Sequence, residues 1–228
     1  MKLFVVEGVD GSGKSTQIRL LNDYFSKKGY RCEYLHFPRT DAPFFGELIA
    51  RFLRGEFGSL GEVNPWLVAM LYAGDRMDAS ELISGWLSKG CIVLLDRYTY
   101  SNIAYQCAKL SDILEQEKLM KWILDLEFSH FSIPKPDLNI FLDVPFTFTE
   151  KKLSDSRTGE DRRYLNGTKD IHEESLSFQE RVREIYRRVS QIDERLCMVN
   201  CGDEKGEMLL PEKIFNLIIE ILSARDLL

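Results

Sequence analysis

The 228-residue chain is expected to fold as an α/β protein built on a parallel sheet, and three observations carry that expectation. Gly8-Val9-Asp10-Gly11-Ser12-Gly13-Lys14-Ser15 matches the pattern G-x-x-x-x-G-K-[ST], and it stands between an apolar, β-branched run from Lys2 to Glu7 and a helical stretch from Gln17 to Phe25. Cys91 to Leu95 and Asp137 to Val144 are uninterrupted apolar runs, the pattern of strands buried on both faces. Between these runs, apolar residues recur at helical spacing.

In order, the Lys2 to Glu7 strand leads through the glycine-rich turn into a first helix that stops at Lys27-Lys28-Gly29, basic residues followed by glycine. Arg31 to Phe37 reads as a second strand, closed by Pro38, with a helix from Phe44 to Leu53 beyond it. Trp66 to Leu87 is a long helix with Leu67, Met70, Leu71, Ala73 and Met77 at apolar spacing, interrupted by Asp75, Arg76 and Asp78. After the Cys91 to Leu95 strand, helices are expected near Tyr98 to Lys109 and Asp112 to Phe128, then the Asp137 to Val144 strand and a short helix to about Leu153. Residues 154–169 are polar and arginine-bearing, unlike anything before them. Phe178, Val182, Ile185, Val189 and Ile192 mark an amphipathic helix whose Arg181, Arg183, Arg187 and Arg188 read as its solvated face, with Glu184 and Arg188 an i,i+4 pair. Leu196 to Asn200 is the last strand, and Pro211 opens a final helix.

Composition narrows the function classes. A chain 44% hydrophobic and 29% charged is ordinary for a globular protein, which argues against disorder. Its net charge of −6 argues against a dedicated nucleic-acid binder. The five cysteines are odd in number and lack a C-x-x-C pair, so reduced, packed thiols are expected rather than a disulfide framework or zinc site. No apolar run approaches eighteen residues and the N-terminal one carries Glu7, so neither a membrane span nor a signal peptide is expected; the expected location is the cytoplasm.

The spelling of the loop follows from phosphate chemistry. Glycines let the backbone turn so that consecutive N–H groups converge on phosphate oxygens at a helix N-terminus. Gly8 through Thr16 would wrap a nucleoside triphosphate, with Lys14 on its outer phosphates and the Ser15 hydroxyl on Mg²⁺. Asp96 ends its strand where such proteins hold magnesium. No Asn-Lys-x-Asp element for guanine occurs. Arg39, Arg76 and Arg97 stand where neither folding nor solubility calls for arginine, at the sheet edge where open α/β folds bind ligands. Transfer between two phosphates needs positioning and charge neutralisation, and a closing lid to exclude water. Residues 154–169, with Arg157, Arg162 and Arg163, suit the lid.

At these residues the chain resembles the thymidylate kinases, a family of nucleoside monophosphate kinases. The resemblance runs through Glu7-Gly8-Val9-Asp10, Phe37-Pro38-Arg39, Asp75-Arg76, Asp96-Arg97-Tyr98 with Ser101, Ala104, Tyr105 and Gln106, Lys135-Pro136-Asp137, Phe141-Leu142-Asp143, Arg163-Tyr164, Asn166-Gly167 and Phe178-Gln179-Glu180-Arg181-Val182. It implies a P-loop kinase fold with a five-stranded parallel sheet, one domain over residues 1–228, a homodimer, and transfer of the ATP γ-phosphate to dTMP with Mg²⁺. By position, Asp10 would reach the acceptor sugar, Arg39 and Arg97 the acceptor phosphate, and Asp96 the magnesium shell. Tyr72 would stack on thymine, Arg76 and Gln106 would meet its polar edge, and Tyr105 and Tyr164 would wall the deoxyribose, with Tyr98 and Ser101 part of the same motif. The residues leave alternatives open: Tyr72 and Tyr105 lie on apolar helix faces and suit the core, Gln106 suits a helix surface, and Arg76 has Asp75 and Asp78 on its own helix. Gly11 stands where some thymidylate kinases carry an arginine, and members without it draw that charge from the lid, here Arg157, Arg162 or Arg163. Asn200-Cys201-Gly202-Asp203 would border the adenine.

Overall fold

The computed structural model describes residues 2–149, 165 and 176–228. The elements run β1 (Lys2–Glu7), α1 (Lys14–Lys27), β2 (Cys32–His36), α2 (Phe45–Leu53), α3 (Pro65–Ser88), β3 (Ile92–Asp96), α4 (Thr99–Cys107) and α5 (Ile113–Leu124). A π-helical turn (Asp125–His130) follows, then β4 (Leu138–Asp143), α6 (Leu176–Ile192), β5 (Leu196–Asn200) and α7 (Pro211–Ala224).

The sheet has five strands, ordered β2-β3-β1-β4-β5 and parallel throughout. Alternation along each strand explains why the inner ones read as unbroken apolar runs. Phe4, Val6, Ile92 and Leu94 face one core with α1, α4 and α6, while Leu3, Val5, Val93 and Leu95 face a second with Phe37, Ala79, Ile83 and Tyr98. A smaller cluster of Ile49, Phe52, Leu53 and Val68 joins α2 to α3. Local chemistry sets the helix starts: the Asn64 side chain accepts from Trp66 N (2.9 Å) ahead of Pro65, and that of Asp112 from Leu114 N (2.9 Å).

Two sequence expectations are corrected by the packing. The helix expected over Asp112 to Phe128 stays α-helical only to Leu124 and then widens, with Phe131 N bonded to Leu126 O at 2.8 Å. The α6 arginines are not all solvated: Arg183 Nε (2.6 Å) and Arg187 Nη2 (2.7 Å) both hold the Asp143 carboxylate at the end of β4, and Glu184 forms no ion pair with Arg188. All five cysteines are free thiols. No helix among the described residues is long and apolar enough to cross a membrane.

Candidate active site

Parallel strands send the segments after β1, β2 and β3 to one edge, and order β3-β1-β4 places the β1 loop at the centre of it. That loop has the shape its glycines permit: Gly11 and Gly13 take φ of 76° and 85°, the left-handed region that side chains rarely adopt. Gly13 is the N-cap of α1, so the helix's first N–H groups face outward for an anion. The Lys14 ammonium lies across the loop, donating to Val9 O (3.1 Å) and Gly8 O (3.4 Å). Burial, and next the nearby charge of Arg97, bring its pKa down to about 8. Ser15 is exposed on the first turn of α1, and Thr16 is half-buried beside it.

Arg97 joins this loop to α4. It sits at φ 68°, a strained conformation for a residue with a side chain. Its Nη1 donates to Gly8 O (2.9 Å) and Ser101 Oγ (3.2 Å), and its Nη2 to Asp10 Oδ1 (2.7 Å) and Tyr105 Oη (3.1 Å). Tyr105 Oη donates in turn to Asp10 Oδ2 at 2.9 Å, and Gln179 Nε2 reaches the same oxygen at 3.1 Å. Burial opposes the charge on Arg97, yet its surroundings, Tyr105 and Asp10 first, raise its pKa well above the usual value. Beneath it, Glu7 is fully buried and accepts from Tyr98 N (2.9 Å), Ser101 Oγ (2.5 Å) and Tyr186 Oη (2.9 Å). Ser101 thus serves as a strut between Glu7 and Arg97.

Arg39 is held as firmly. Its main-chain N and Nε bond to the Asp75 carboxylate (2.9 and 2.8 Å), and its Nη2 to Asp75 O and Asp78 Oδ2 (both 2.8 Å). Gly46 lets this turn close, because a Cβ there would lie 2.0 Å from Arg39 O. The acids flanking Arg76 in sequence are therefore committed to Arg39, which removes the same-helix pairing for Arg76. Its partner is Glu127, on the π-helical turn, bonded at 2.6 Å through Nε and 2.7 Å through Nη2. Both residues are buried, at 1% and 0% exposure. Burial opposes the Arg76 charge, and Glu127 more than offsets it, raising the pKa. Glu127 also accepts from Thr99 Oγ1 (2.8 Å) and Asn102 Nδ2 (3.0 Å). Arg39 Nη1 and Arg76 Nη1 make no hydrogen bond among the described residues.

Sequence reasoning missed Glu127, although a signal was present. Leu119, Ile123 and Glu127 step by four along the buried stripe of α5, and an acid in that place requires a buried cation. It missed Asn102 as well, whose Oδ1 is buried without a partner while its Nδ2 is fixed by Ala69 O and Glu127. The remaining expectations sort by place. Tyr72 is half-buried against the α2–α3 cluster, and Tyr105 is buried yet tied to Asp10 and Arg97. Gln106 is buried, not a surface residue, and bonded to Lys109 Nζ at 2.8 Å. Tyr98 is buried behind the two arginines: its ring packs on Phe37 and lies 6.0 Å from the Arg76 guanidinium, its N–H donates to Glu7, and its hydroxyl donates to Pro134 O. Asn200 Oδ1 accepts from Gly202 N (3.0 Å) in the turn after β5. Arg157, Arg162, Arg163 and Tyr164 lie outside the described residues.

Asp96 supplies the remaining chemistry. Its Oδ1 is buried without a partner, and its Oδ2 lies 3.4 Å from His36 Nδ1, a histidine to which the sequence assigned no role. Burial works to raise this carboxyl, but Lys14 and His36 bring it below its ordinary value, so it stays ionised. No group of three His, Cys, Asp or Glu among the described residues could cage a metal. An orphaned hard oxygen beside a phosphate loop fits the chemistry of Mg²⁺, which takes few protein oxygens and completes its shell with phosphate and water.

The family model described as thymidylate kinase matches residues 6–209. The chain belongs to the thymidylate kinase family. A probable thymidylate kinase of Thermococcus onnurineus is 34% identical over 201 residues, covering 86% of this chain and 87% of its own. The thymidylate kinase of Mycobacterium tuberculosis is 32% identical over 189 residues, covering 82% and 85%. A thymidylate kinase structure from Candida albicans shares the fold, with a TM-score of 0.73 at 24% identity over 99% of this chain and 92% of that one.

Proposed function

We infer that this chain transfers the γ-phosphate of ATP to dTMP, giving dTDP and ADP. The observation that carries this is Arg97: one guanidinium is bonded at once to the phosphate loop at Gly8 and to Asp10 and Tyr105, so a second cationic pocket is fused to the first. Two phosphates held against each other is what phosphoryl transfer requires, since the reaction needs alignment and charge stabilisation more than covalent help.

In this reading Gly8 to Thr16 cradle the donor phosphates, and Lys14 swings from its loop carbonyls onto the β- and γ-oxygens. The turn from Asn200 to Asp203 borders the adenine. Ser15 and Asp96 would hold Mg²⁺, which neutralises phosphate charge when bound. Arg97 and the spare Nη1 of Arg39 hold the acceptor phosphate, Asp10 meets the sugar, and Tyr105 and Tyr164 wall its 2′ side. Arg76 Nη1 donates to a thymine carbonyl while Asn102 Oδ1 accepts from N3–H, and their shared hold on Glu127 fixes the spacing of that pair. Gln106 meets the same edge, and Tyr72 stacks on the ring. Residues 154–169 form the lid, and one of Arg157, Arg162 and Arg163 supplies the transition-state charge that Gly11 does not. Residues 1–228 act as one domain, working in the cytoplasm as a homodimer. Exposed Leu67 and Met70, one turn apart on α3, support the dimer.

ADP release measured with dTMP, dUMP, dCMP and AMP tests the reading. The expected order places dTMP first, with dUMP rejected by only about 10–200-fold because one methyl is worth little more. A better rate with dCMP or AMP would refute the base assignment.

A further inference from the structure

Lys109 is unusual outside the machinery described so far. It lies two residues beyond the end of α4 and is half-buried, its ammonium turned onto a ring face and an amide oxygen. The Nζ stands 4.6 Å from the centroid of Phe52, in the cluster that also packs Tyr72, and donates to Gln106 Oε1 at 2.8 Å. Its backbone N–H bonds to Gln106 O at 3.2 Å, so residues 106 and 109 are tied twice. No carboxylate among the described residues pairs with it, and burial alone lowers its pKa to about 7. A desolvated ammonium without an acid is unfavourable to the fold, and its stabilising partners are one amide oxygen and one ring face.

We propose that Lys109 is a positioning residue for base recognition, one that locks the Gln106 amide so that its Nε2 faces the base as a donor. An ammonium only donates, so its neighbour must be the amide oxygen, and the flip of Gln106 is settled. The amide then has N–H groups left to offer, and the base atoms they suit are the carbonyl oxygens of a pyrimidine such as thymine. Without Lys109 the amide is free to present either end, and half of its orientations place an oxygen against a carbonyl. The proposal rests on the reading of Gln106 as a base-contacting residue.

The experiment is steady-state kinetics of the full-length enzyme with dTMP and ATP. Lys109→Met keeps the stem on Phe52 and removes the donor; it is expected to raise KM for dTMP about tenfold while kcat and KM for ATP stay within about twofold. Lys109→Arg, which keeps a cationic donor on a long stem, recovers most of that loss. Gln106→Ala alone raises KM for dTMP to a similar extent, and adding Lys109→Met to it changes nothing further, because one residue acts through the other. Equal losses in the Met and Arg variants, an additive double variant, or an unchanged KM for dTMP in Lys109→Met would each overturn the proposal. An unchanged KM in Gln106→Ala would instead overturn the base-site reading beneath it, so the two failures are told apart.

Discussion

The halves of the site proposed for donor and acceptor are prepared in opposite ways. On the acceptor side every arginine is already paired with carboxylate: Arg39 with Asp75 and Asp78, Arg76 with Glu127, Arg97 with Asp10. On the donor side, among the described residues, Lys14 bonds only to carbonyl oxygens, and Asp96 Oδ1 and Ser12 Oγ are buried without partners. The proposed acceptor side is thus charge-balanced by the fold itself, while the proposed donor side holds uncompensated groups that phosphates and a cation would suit. Selectivity among bases needs the first arrangement, because fixed donors and acceptors penalise a mismatched edge. Binding a highly charged polyphosphate favours the second.

The most severe break falls where the halves meet. Arg97→Met should lower kcat by on the order of 10³, the scale of other charge-stabilising arginines, while ATP binding measured by calorimetry persists. Retained turnover would deny Arg97 its place between the phosphates. Next comes the rigidity of the acceptor side. Glu127→Leu leaves Arg76 charged and unpaired in the core and should cost about 3–5 kcal/mol of stability in urea unfolding. Pairing it with Arg76→Met should restore most of that stability, yet leave dTMP poorly bound. A double variant with normal KM would show that the ion pair serves the fold and not the base.

The mildest test is of protons. At about pH 9 an ammonium with a pKa of about 8 is mostly neutral, so Lys14 enters the ATP complex without its charge. The polyphosphate raises that pKa, and binding should take up nearly one proton, read by calorimetry in buffers of different ionisation enthalpy. The uptake should fade below about pH 7, where Lys14 is already protonated, and should vanish at every pH in Lys14→Arg.

What the sequence made legible follows the same division. The phosphate loop, the strands and Asp96 are local signals: a spaced glycine motif, unbroken apolar runs, an acid at a strand end. Arg76 was legible as an arginine out of place, and Glu127 as an acid in a buried stripe, but their pairing was not, because 51 residues separate them and no local spacing joins the two. Asp75 and Asp78 looked like partners for Arg76 by spacing along one helix, and only the turn after β2 shows that they belong to Arg39. Asn102 carries no sequence signal; the role proposed for it rests on one buried oxygen without a donor among the described residues.

The reach of these pairings also sets a timetable. Glu7, which braces Arg97 through Ser101, bonds to Tyr186 across 179 residues, and Asp10 to Gln179 across 169. At about 5–20 residues per second, the ribosome completes α6 roughly 10–30 s after the phosphate loop has been made. A nascent chain therefore carries its phosphate loop long before Asp10 and Arg97 are locked in place. The pocket proposed for the acceptor draws its last supports from α6, so a chain cut short before it lacks the bonds from Gln179 to Asp10 and from Tyr186 to Glu7.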